Sequence, residues 1–320
     1  MNSLKNMKIS LISPSNFNQE IVSGFHLQYL ICALREIDHR VYFSWDNRII
    51  NDSDLEIIFN PLLLIKFNKN FLYDLIISKR PFIIYSSELI RPDLSGYNFE
   101  LRDDFNSEEK DIFLKICTMA LQIWTMIGGP EIDIFGKVNR NVKHLKIGFT
   151  PSFSMMKKCR SPDWDILFYG SMSAHRKSIL DGFEKTGLKI AVLGYGSEMI
   201  RDCFLSNTKI VLNINHGSHE IEALMKSQNR EHIATGIFPY STPRIIQCAH
   251  NSVVCVSDYA PLRDSYIERL FVPIKNSNLA ETCFNIIKGN SWHDLGIENH
   301  SKLKNESFFC ENLSILLSNL

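Results

Sequence analysis

The chain has 320 residues, about twice the ~150 of a typical single domain, so we expect two domains or one large one. Apolar residues make up 45% and charged residues 22%, values that exclude a mainly disordered or collagen-like chain. The 35 lysines and arginines balance the 35 aspartates and glutamates, so no global positive field draws the protein to nucleic acid or an anionic membrane.

The eight cysteines contain no CxxC pair of the kind that zinc or a dithiol redox site needs, so buried free thiols are predicted. The first residues, MNSLKNMKIS, lack the apolar core of a signal peptide. No window approaches the ~18 uninterrupted apolar residues of a membrane span. We therefore expect a protein of the reducing cytoplasm, without a transmembrane segment.

Strand-like and helix-like apolar segments alternate along the first half, as in parallel sheets whose crossovers are helices. The apolar runs are too continuous for strands with one solvated face, so both faces of the sheet should be covered by helices. Strands are predicted at 8–13, 41–45, 55–59, 82–85, 122–126 and 142–147, and helices at 20–37 and about 107–121.

The pattern restarts after 148–162, a segment rich in Pro, Ser and Lys that we interpret as an interdomain linker. The predicted strands of the second half are 165–169, 188–193, 209–214, 252–257 and 271–274. The predicted helices are about 174–185, 242–250, 280–287 and a terminal one at about 302–317. Residues 215–238 are polar and poorly periodic. Doubly wound sheets bind ligands at the carboxyl ends of their strands, so function is expected in those loops.

Small or polar residues follow several strands of the second half: Gly170 and Ser171, Gly194, and the pair Ser257 and Asp258. Small residues at such turns let backbone N–H groups approach an anion, and the next helix amino terminus adds a favourable dipole. A phosphate-bearing ligand is therefore expected at this edge. The structural alternative is that each glycine serves only a tight turn.

Other nucleotide and hydrolase signatures are absent. The stretch beginning at Gly194 starts like GxGxxG but has Met199 in place of the third glycine, and no GxxxxGK[ST] or GxSxG occurs. His216 and His219, with Glu220 adjacent, have no third ligand at a telling spacing, so no metal site is predicted.

The run FPYSTPRIIQCAHNSVVCVSD at 238–258 resembles the donor half of GT-B glycosyltransferases, especially small bacterial ones. It places an arginine at the start of a helix and ends in an acidic residue after a strand. Further stretches resemble other pieces of that fold in the same order: 85–89, 123–125 and 147–151 in the acceptor half, and 165–176, 208–215 and 271–282 in the donor half. The sequence departs from the family pattern in having Asp258 where many members have glutamate, and no upstream glutamate of the E-x7-E pattern.

The resemblance implies two doubly wound Rossmann-like α/β domains facing across a cleft. An acceptor-binding domain would comprise 1–150, a nucleotide-sugar-binding domain 151–300, and a terminal helix at 301–320 would pack back on the first domain. The implied function is transfer of a sugar from a nucleotide-sugar donor to a hydroxyl group of an acceptor. The acceptor classes left open are a glycan, a lipid-linked glycan, a protein and a modified nucleic-acid base. The nucleotide sugar (UDP, GDP, dTDP or CMP type) is a co-substrate, and neither a cofactor nor a metal is expected.

Without a metal, a cation and helix amino termini must neutralise the departing phosphates. Arg244 is the first candidate, because a guanidinium binds phosphate in a bidentate way and keeps its proton; Arg176 is the second. A surface or interdomain salt bridge is the structural alternative for each.

Three further donor residues are proposed with structural alternatives. Tyr240 and Thr242 are placed to hydrogen-bond the same phosphates, and Thr242 is equally placed as the cap of the helix before Pro243. Asp258 is expected to accept hydrogen bonds from a ribose, or else to cap a helix.

On the acceptor side, Gly24 and His26 lie near the start of the first predicted helix, and Glu88 follows a strand. Histidine's pKa suits a general base in an inverting enzyme, and Glu88 competes with His26 for that role. A structural histidine is the alternative, and a retaining enzyme needs no such base.

The segment from Lys137 to Arg160 is locally basic. A solvated face is its ordinary interpretation; contact with an anionic acceptor, nucleic-acid phosphates or the inner face of a membrane is the functional one. Two alternative functions stay open: a nucleotide-sugar epimerase of the same architecture, and a non-catalytic glycosyltransferase-like binding partner.

Overall fold

A computed structural model describes residues 6–14, 17–44, 52–86, 91–92, 99–100, 106–126, 128, 130–153, 156–194, 198–215, 241–260, 264–274, 278–306 and 309–320. The chain divides into two compact units. The first comprises Met1–Lys146, Thr150–Phe153 and Phe308–Leu320, and the second Ile147–Phe149 and Ser154–Ser307.

The first unit is built on a parallel sheet of six described strands in the order β2-β1-β3-β4-β7-β8. These are β1 (Lys8–Ile12), β2 (Arg40–Ser44), β3 (Leu55–Phe59), β4 (Phe82–Ser86), β7 (Gln122–Thr125) and β8 (Val142–His144). Strands β5 (Arg91–Pro92) and β6 (Phe99–Glu100) form a separate antiparallel pair. Central β3 and β4 are buried throughout, as strands covered on both faces should be.

The helices of this unit are α1 (Phe17–Glu36), α2 (Pro61–Ser78), α3 (Ser107–Met119), α4 (Pro130–Gly136) and α11 (Phe309–Ser318). Helix α3 begins at a capping box, in which Asn106 and Glu109 each accept a backbone N–H bond from the other. Its apolar face packs with α2 and α4 on one face of the sheet, around residues such as Phe113 and Phe135.

The second unit has a parallel sheet of five described strands in the order β10-β9-β11-β12-β13. They are β9 (Trp164–Tyr169), β10 (Ile190–Leu193), β11 (Thr208–Asn213), β12 (Val254–Asp258) and β13 (Val272–Ile274). The helices are α5 (Ala174–Asp181), α6 (Glu198–Ser206), α7 (Thr242–His250), α8 (Ser265–Glu268), α9 (Leu279–Lys288) and α10 (Trp292–Glu306), with a 3₁₀ turn at Glu184–Thr186.

The chain ends in two helices where the sequence predicted one terminal helix at about 302–317. Helix α10 belongs to the second unit and α11 to the first. In the first unit, the Gln122 side chain donates a hydrogen bond to the carbonyl of Leu316 on α11 (3.1 Å). No helix in the described part of the chain has the length and apolar character that a membrane crossing requires.

The α/β class with two doubly wound parallel sheets is confirmed. All the cysteines are free thiols. The prediction that they are buried holds for Cys117, Cys248, Cys255 and Cys283; Cys32 and Cys310 are half-buried, and Cys159 and Cys203 are exposed.

Candidate functional site

The strand order of the second sheet marks a crevice at its carboxyl edge. The order places β10 on one side of β9 and β11 on the other, so the crossovers leave in opposite directions between β9 and β11. Ligands of open α/β sheets bind at such a switch point. The described residues there are Tyr169, which ends β9, Gly170, which follows it, and Asn213 to Asn215 at and just after the end of β11.

Arg244 lies at this switch point, with its side chain 9% exposed. Its Nη1 donates to Asn213 Oδ1 (2.9 Å) and its Nη2 to the carbonyl of Tyr169 (2.6 Å). A guanidinium has five N–H groups, so three remain without a partner among the described residues, and the buried Nε is one of them. The side chain keeps donor capacity that the protein does not use.

The charge of Arg244 is also unneutralised. None of the ion pairs between described residues includes it. It is the third residue of α7, and a cation in the first turn opposes the positive end of the helix dipole. An anion at this position would relieve both unfavourable terms.

Gly170 makes room for this guanidinium. Its φ of +118° lies outside the range that side-chain-bearing residues adopt readily, and an added Cβ would lie 2.8 Å from Arg244 Nη2. Glycine is therefore needed here both for the turn and for the approach of the arginine. The position of Gly170 agrees with its prediction as a residue of the strand-end loop.

Arg176 is 6% exposed and is the third residue of α5, whose first turn starts at the Ser173 cap. Its Nε donates to the carbonyl of Ile214 (3.0 Å), and its Nη1 donates to both the carbonyl and the hydroxyl of Ser171 (2.8 Å each). These bonds tie the turn after β9 to the end of β11. Arg176 and Ser171 thus hold the shape of the loop and add a second buried positive charge.

Asp258 ends β12 beside β11. Its Oδ1 accepts from the backbone N–H (2.8 Å) and side-chain amide (2.7 Å) of Asn215, while Oδ2 has no hydrogen-bond partner among the described residues. Burial raises the pKa of the Asp258 carboxyl, and the Asn215 bonds with the charges of His175 and Arg176 lower it in part. Both hydrogen bonds of Oδ1 thus come from Asn215, just after β11.

Ser257 and Asn213 form the framework beneath these groups. The Ser257 hydroxyl accepts from Asn213 Nδ2 (2.9 Å) and donates to the carbonyl of Asp258 (2.8 Å), and Ser257 is fully buried. Its hydroxyl is thus used within the protein. The sequence pointed to Ser257 and missed Asn213 and Asn215, although two asparagines at the end of an apolar strand were a signal for polar contacts there.

The other residues predicted for the donor site have fewer described contacts with the groups around Arg244, or lie outside the described residues. Gly194 follows edge strand β10 and is exposed, and an added Cβ there would meet no described heavy atom within 4 Å. Thr242 is the first residue of α7 and Ser241 precedes the helix, so the prediction that Thr242 caps it is wrong. Tyr240 lies outside the described residues, as do His216 and His219.

In the first unit, His26 of α1 is buried against the end of β3. Its ring lies 6.2 Å from that of Phe59, and its Nδ1 is buried without a hydrogen-bond partner among the described residues. Burial lowers the pKa of His26 to about 4, so the imidazole is neutral at pH 7. Gly24 lies two residues earlier in α1, and Glu88 lies outside the described residues.

The basic segment divides between the two units. In the first, Lys137, Arg140, Lys143 and Lys146 are exposed. Lys158, in the second, instead donates to the carbonyl of Ser252 (2.8 Å) and lies over the Trp292 ring at 4.8 Å. Burial lowers its pKa to about 8. The ammonium group of Lys158 is therefore used within the protein, and the prediction that it belongs to an accessible basic stretch is wrong.

The described His, Cys, Asp and Glu side chains include no group of three or more arranged to hold a metal ion. The described cationic groups at the carboxyl edge of the second sheet include Arg176 and Arg244. Guanidinium groups are suited to an anion with several oxygen acceptors.

Several solved enzymes share the fold of this chain. An alpha-glucosyltransferase solved with UDP and a 13-mer DNA aligns with a TM-score of 0.56 at 12% identity, over 98% of this chain and all of that one. Sucrose-phosphate synthase from Thermosynechococcus elongatus aligns with a TM-score of 0.52 at 10% identity, over 98% of both chains. The chain has the GT-B fold. This confirms the resemblance drawn from the sequence at the level of fold.

The same fold occurs in UDP-GlcNAc 2-epimerase from Neisseria meningitidis, solved with UDP-GlcNAc, which aligns with a TM-score of 0.51 at 8% identity over 98% of this chain and all of that one. No family model matches the sequence. The uncharacterized protein L138 of Acanthamoeba polyphaga mimivirus is 33% identical over 122 residues, which are 37% of this chain and 13% of that protein. This chain thus matches a small part of a much longer relative.

Proposed function

We propose that the protein is a glycosyltransferase that binds a nucleotide sugar at the carboxyl edge of its second sheet and transfers the sugar to a hydroxyl acceptor without a metal ion. The observation that carries the proposal is Arg244: a buried guanidinium with three unused N–H groups and no carboxylate partner among the described residues. It lies at the switch point of a GT-B fold, where a ligand is expected.

In the transfer step, the bond between the sugar C1 and the phosphate oxygen breaks, and its electron pair stays on the departing phosphate. A bond forms between C1 and the acceptor oxygen. Arg244 stabilises the charge that develops on the leaving group, since its remaining N–H groups are fixed before the reaction and need no reorganisation. The positive end of α7 adds to this stabilisation.

The proton of the acceptor hydroxyl requires a destination. In an inverting enzyme, neutral His26 is the proposed base, since its Nδ1 carries no hydrogen bond from the described residues. A pKa of about 4 in the unliganded protein makes His26 a weak base, and a bound substrate with negative charge would raise it. In a retaining enzyme, the departing phosphate accepts this proton and His26 has no role.

The exposed cations Lys137, Arg140, Lys143 and Lys146 favour an acceptor that carries negative charge, such as a nucleic acid or a lipid-linked glycan. The solved alpha-glucosyltransferase of similar fold holds a DNA oligonucleotide. A variant in which all four of these residues are replaced by glutamine should transfer sugar to an anionic acceptor more slowly, while its affinity for the donor should be unchanged.

Donor binding is tested first, by thermal shift and calorimetry with UDP, GDP, dTDP and CMP and their sugars. At least one of these nucleotides should raise the melting temperature by several degrees at about 1 mM, as preferential binding to the folded state requires. If none binds, the proposed donor site is wrong. Turnover with an acceptor panel in EDTA then tests metal independence, and loss of activity that Mg²⁺ or Mn²⁺ restores would contradict it.

A nucleotide-sugar epimerase is the second candidate, favoured by the structural likeness to UDP-GlcNAc 2-epimerase. The two reactions differ in their need for an acceptor. NMR of the donor incubated alone with the protein would show a changed sugar for an epimerase and an unchanged one for a transferase. Nucleotide binding without either reaction would favour a non-catalytic binding partner.

A further inference from the structure

Tyr169 contacts Arg244 in two ways. Its carbonyl accepts a hydrogen bond from Nη2 (2.6 Å), and its ring lies under the guanidinium with 4.7 Å from Cζ to the ring centroid. The ring face attracts the cation, and this attraction is stronger where water is excluded. Together with the bond to Asn213, the Tyr169 ring and carbonyl therefore help to fix the position of the guanidinium.

The far end of Tyr169 is held by the same helix that carries Arg244. The Tyr169 hydroxyl donates to Gln247 Oε1 (3.1 Å), and Gln247 is three residues after Arg244 on α7. Residues at this spacing share one side of a helix. Tyr169 is thus bound at its carbonyl and ring by Arg244 and at its hydroxyl by Gln247.

The direction of the Gln247 amide is set by a third contact. Gln247 Nε2 donates to Asp202 Oδ1 (3.1 Å) on α6, and a carboxylate only accepts. The same oxygen accepts hydrogen bonds from both Nε and Nη2 of Arg201 (3.1 and 3.0 Å), which hold the carboxylate in place. Oε1 must then face Tyr169. Burial raises the pKa of the Tyr169 phenol, which keeps its hydroxyl a donor at neutral pH.

We infer that Tyr169 and Gln247 are positioning residues that hold Arg244 ready for the phosphates of the donor. This rests on the proposed function. Without the hydroxyl-to-amide bond, the ring gains freedom and the guanidinium loses its fixed place. The cost should appear in phosphate binding, because Arg244 is the group that binds and Tyr169 acts only through it.

The test measures the dissociation constant of the best-binding nucleoside diphosphate by calorimetry in a double-mutant cycle. Tyr169→Phe should weaken binding about three- to ten-fold in the wild-type background, as one lost hydrogen bond predicts. In an Arg244→Lys background, the same change should alter binding less than about two-fold, since a lysine does not use the ring and carbonyl in the same way. Equal losses in both backgrounds would overturn the inference.

Gln247→Met provides a second approach if Tyr169→Phe is too unstable to measure, and it should produce the same coupled loss. Matched controls lie in the first unit. Tyr73→Phe removes a hydroxyl bond to Glu108, and Gln122→Met removes an amide that, like Gln247, accepts one bond and donates one. Both controls should leave the dissociation constant unchanged.

The outcomes separate the two proposals. Absence of nucleotide binding by the wild-type protein contradicts the proposed function itself. Wild-type binding that depends on Arg244 but is unaffected by Tyr169→Phe and Gln247→Met leaves the proposed function standing and overturns only the positioning role.

Discussion

At the scale of single residues, the carboxyl edge of the second sheet holds two buried arginines at positions that the helix dipole disfavours. Arg244 and Arg176 are each the third residue of a helix, where a carboxylate is favoured and a cation is not. The sequence ranked Arg244 first, as a guanidinium at the start of a helix, and Arg176 second. It could not show why their roles differ, since only the tertiary contacts show that Arg176 fixes the loop while Arg244 retains unused donors.

Asp258→Asn separates a ligand-binding role from a structural one. The amide oxygen can still accept both bonds from Asn215, while the charge that burial disfavours is removed. We expect the free energy of unfolding to stay within about 1 kcal/mol of wild type or to rise. Nucleotide affinity should fall roughly five-fold, because neutral hydrogen bonds are weaker than those of a carboxylate. A loss of stability at unchanged affinity would indicate a purely structural carboxylate.

His26 should make stability depend on pH. Its pKa is about 4 in the folded protein, against 6.5 ordinarily. Between these values the unfolded chain binds a proton that the folded protein does not, so the free energy of unfolding falls as the pH drops from 6.5 toward 4. The full contribution is on the order of 3 kcal/mol. Urea unfolding of His26→Gln should show a shallower fall over this range, and parallel curves for the two proteins would contradict the assignment.

At the scale of elements, the turn after β9 is the most constrained part of the site. Gly170→Ala forces a side chain into a φ of +118° and directs its Cβ at Arg244 Nη2. We expect a loss of about 1–3 kcal/mol in unfolding free energy from the backbone alone. Nucleotide affinity should fall as well, because the guanidinium is displaced.

Gly187→Ala is the matched control for this prediction. Gly187 also has a positive φ, +70°, but no described heavy atom lies within 4 Å of the position that an added methyl group would take. Chemical unfolding should show a loss of about 1 kcal/mol, and nucleotide affinity should stay at the wild-type value. If both alanine variants bind nucleotide like wild type, the turn does not position Arg244.

The sequence predicted best those elements whose apolar periodicity is clear and whose ends carry turn or cap residues. The prediction of β3 at 55–59 and of α7 at 242–250 matches the structure residue for residue. Helix α2 was missed because its apolar residues occupy nearly every side and the helix is interrupted at Asn68. Most of α10 was missed because Gly296 looks like a helix breaker; in the structure, the missing Cβ lets the helix pack directly on the carbonyl of Ser252.

At the scale of the whole molecule, the order of apolar segments was enough to predict two parallel sheets, and the switch-point rule directed the search to the carboxyl edge of the second. The contacts at that edge were not predictable. Tyr169, Gln247 and Asp202 are far apart in the sequence and meet only through the packing of α6 and α7 against the sheet. The neutral composition is consistent with the proposed site, which would bind its anion through one or two placed guanidiniums rather than a basic surface.

The most direct test of the central claim is calorimetric titration of wild type, Arg244→Ala and Arg244→Lys with UDP, GDP, dTDP and CMP. Arg140→Ala, an exposed arginine of the first unit, serves as the control. We predict that at least one nucleotide binds wild type and the control with equal affinity. Arg244→Ala should weaken the affinity for that nucleotide about 30-fold or more, and the affinity of Arg244→Lys should lie between those of wild type and Arg244→Ala. Circular dichroism should show that each variant is folded. Equal affinity of folded Arg244→Ala and wild type would contradict the account.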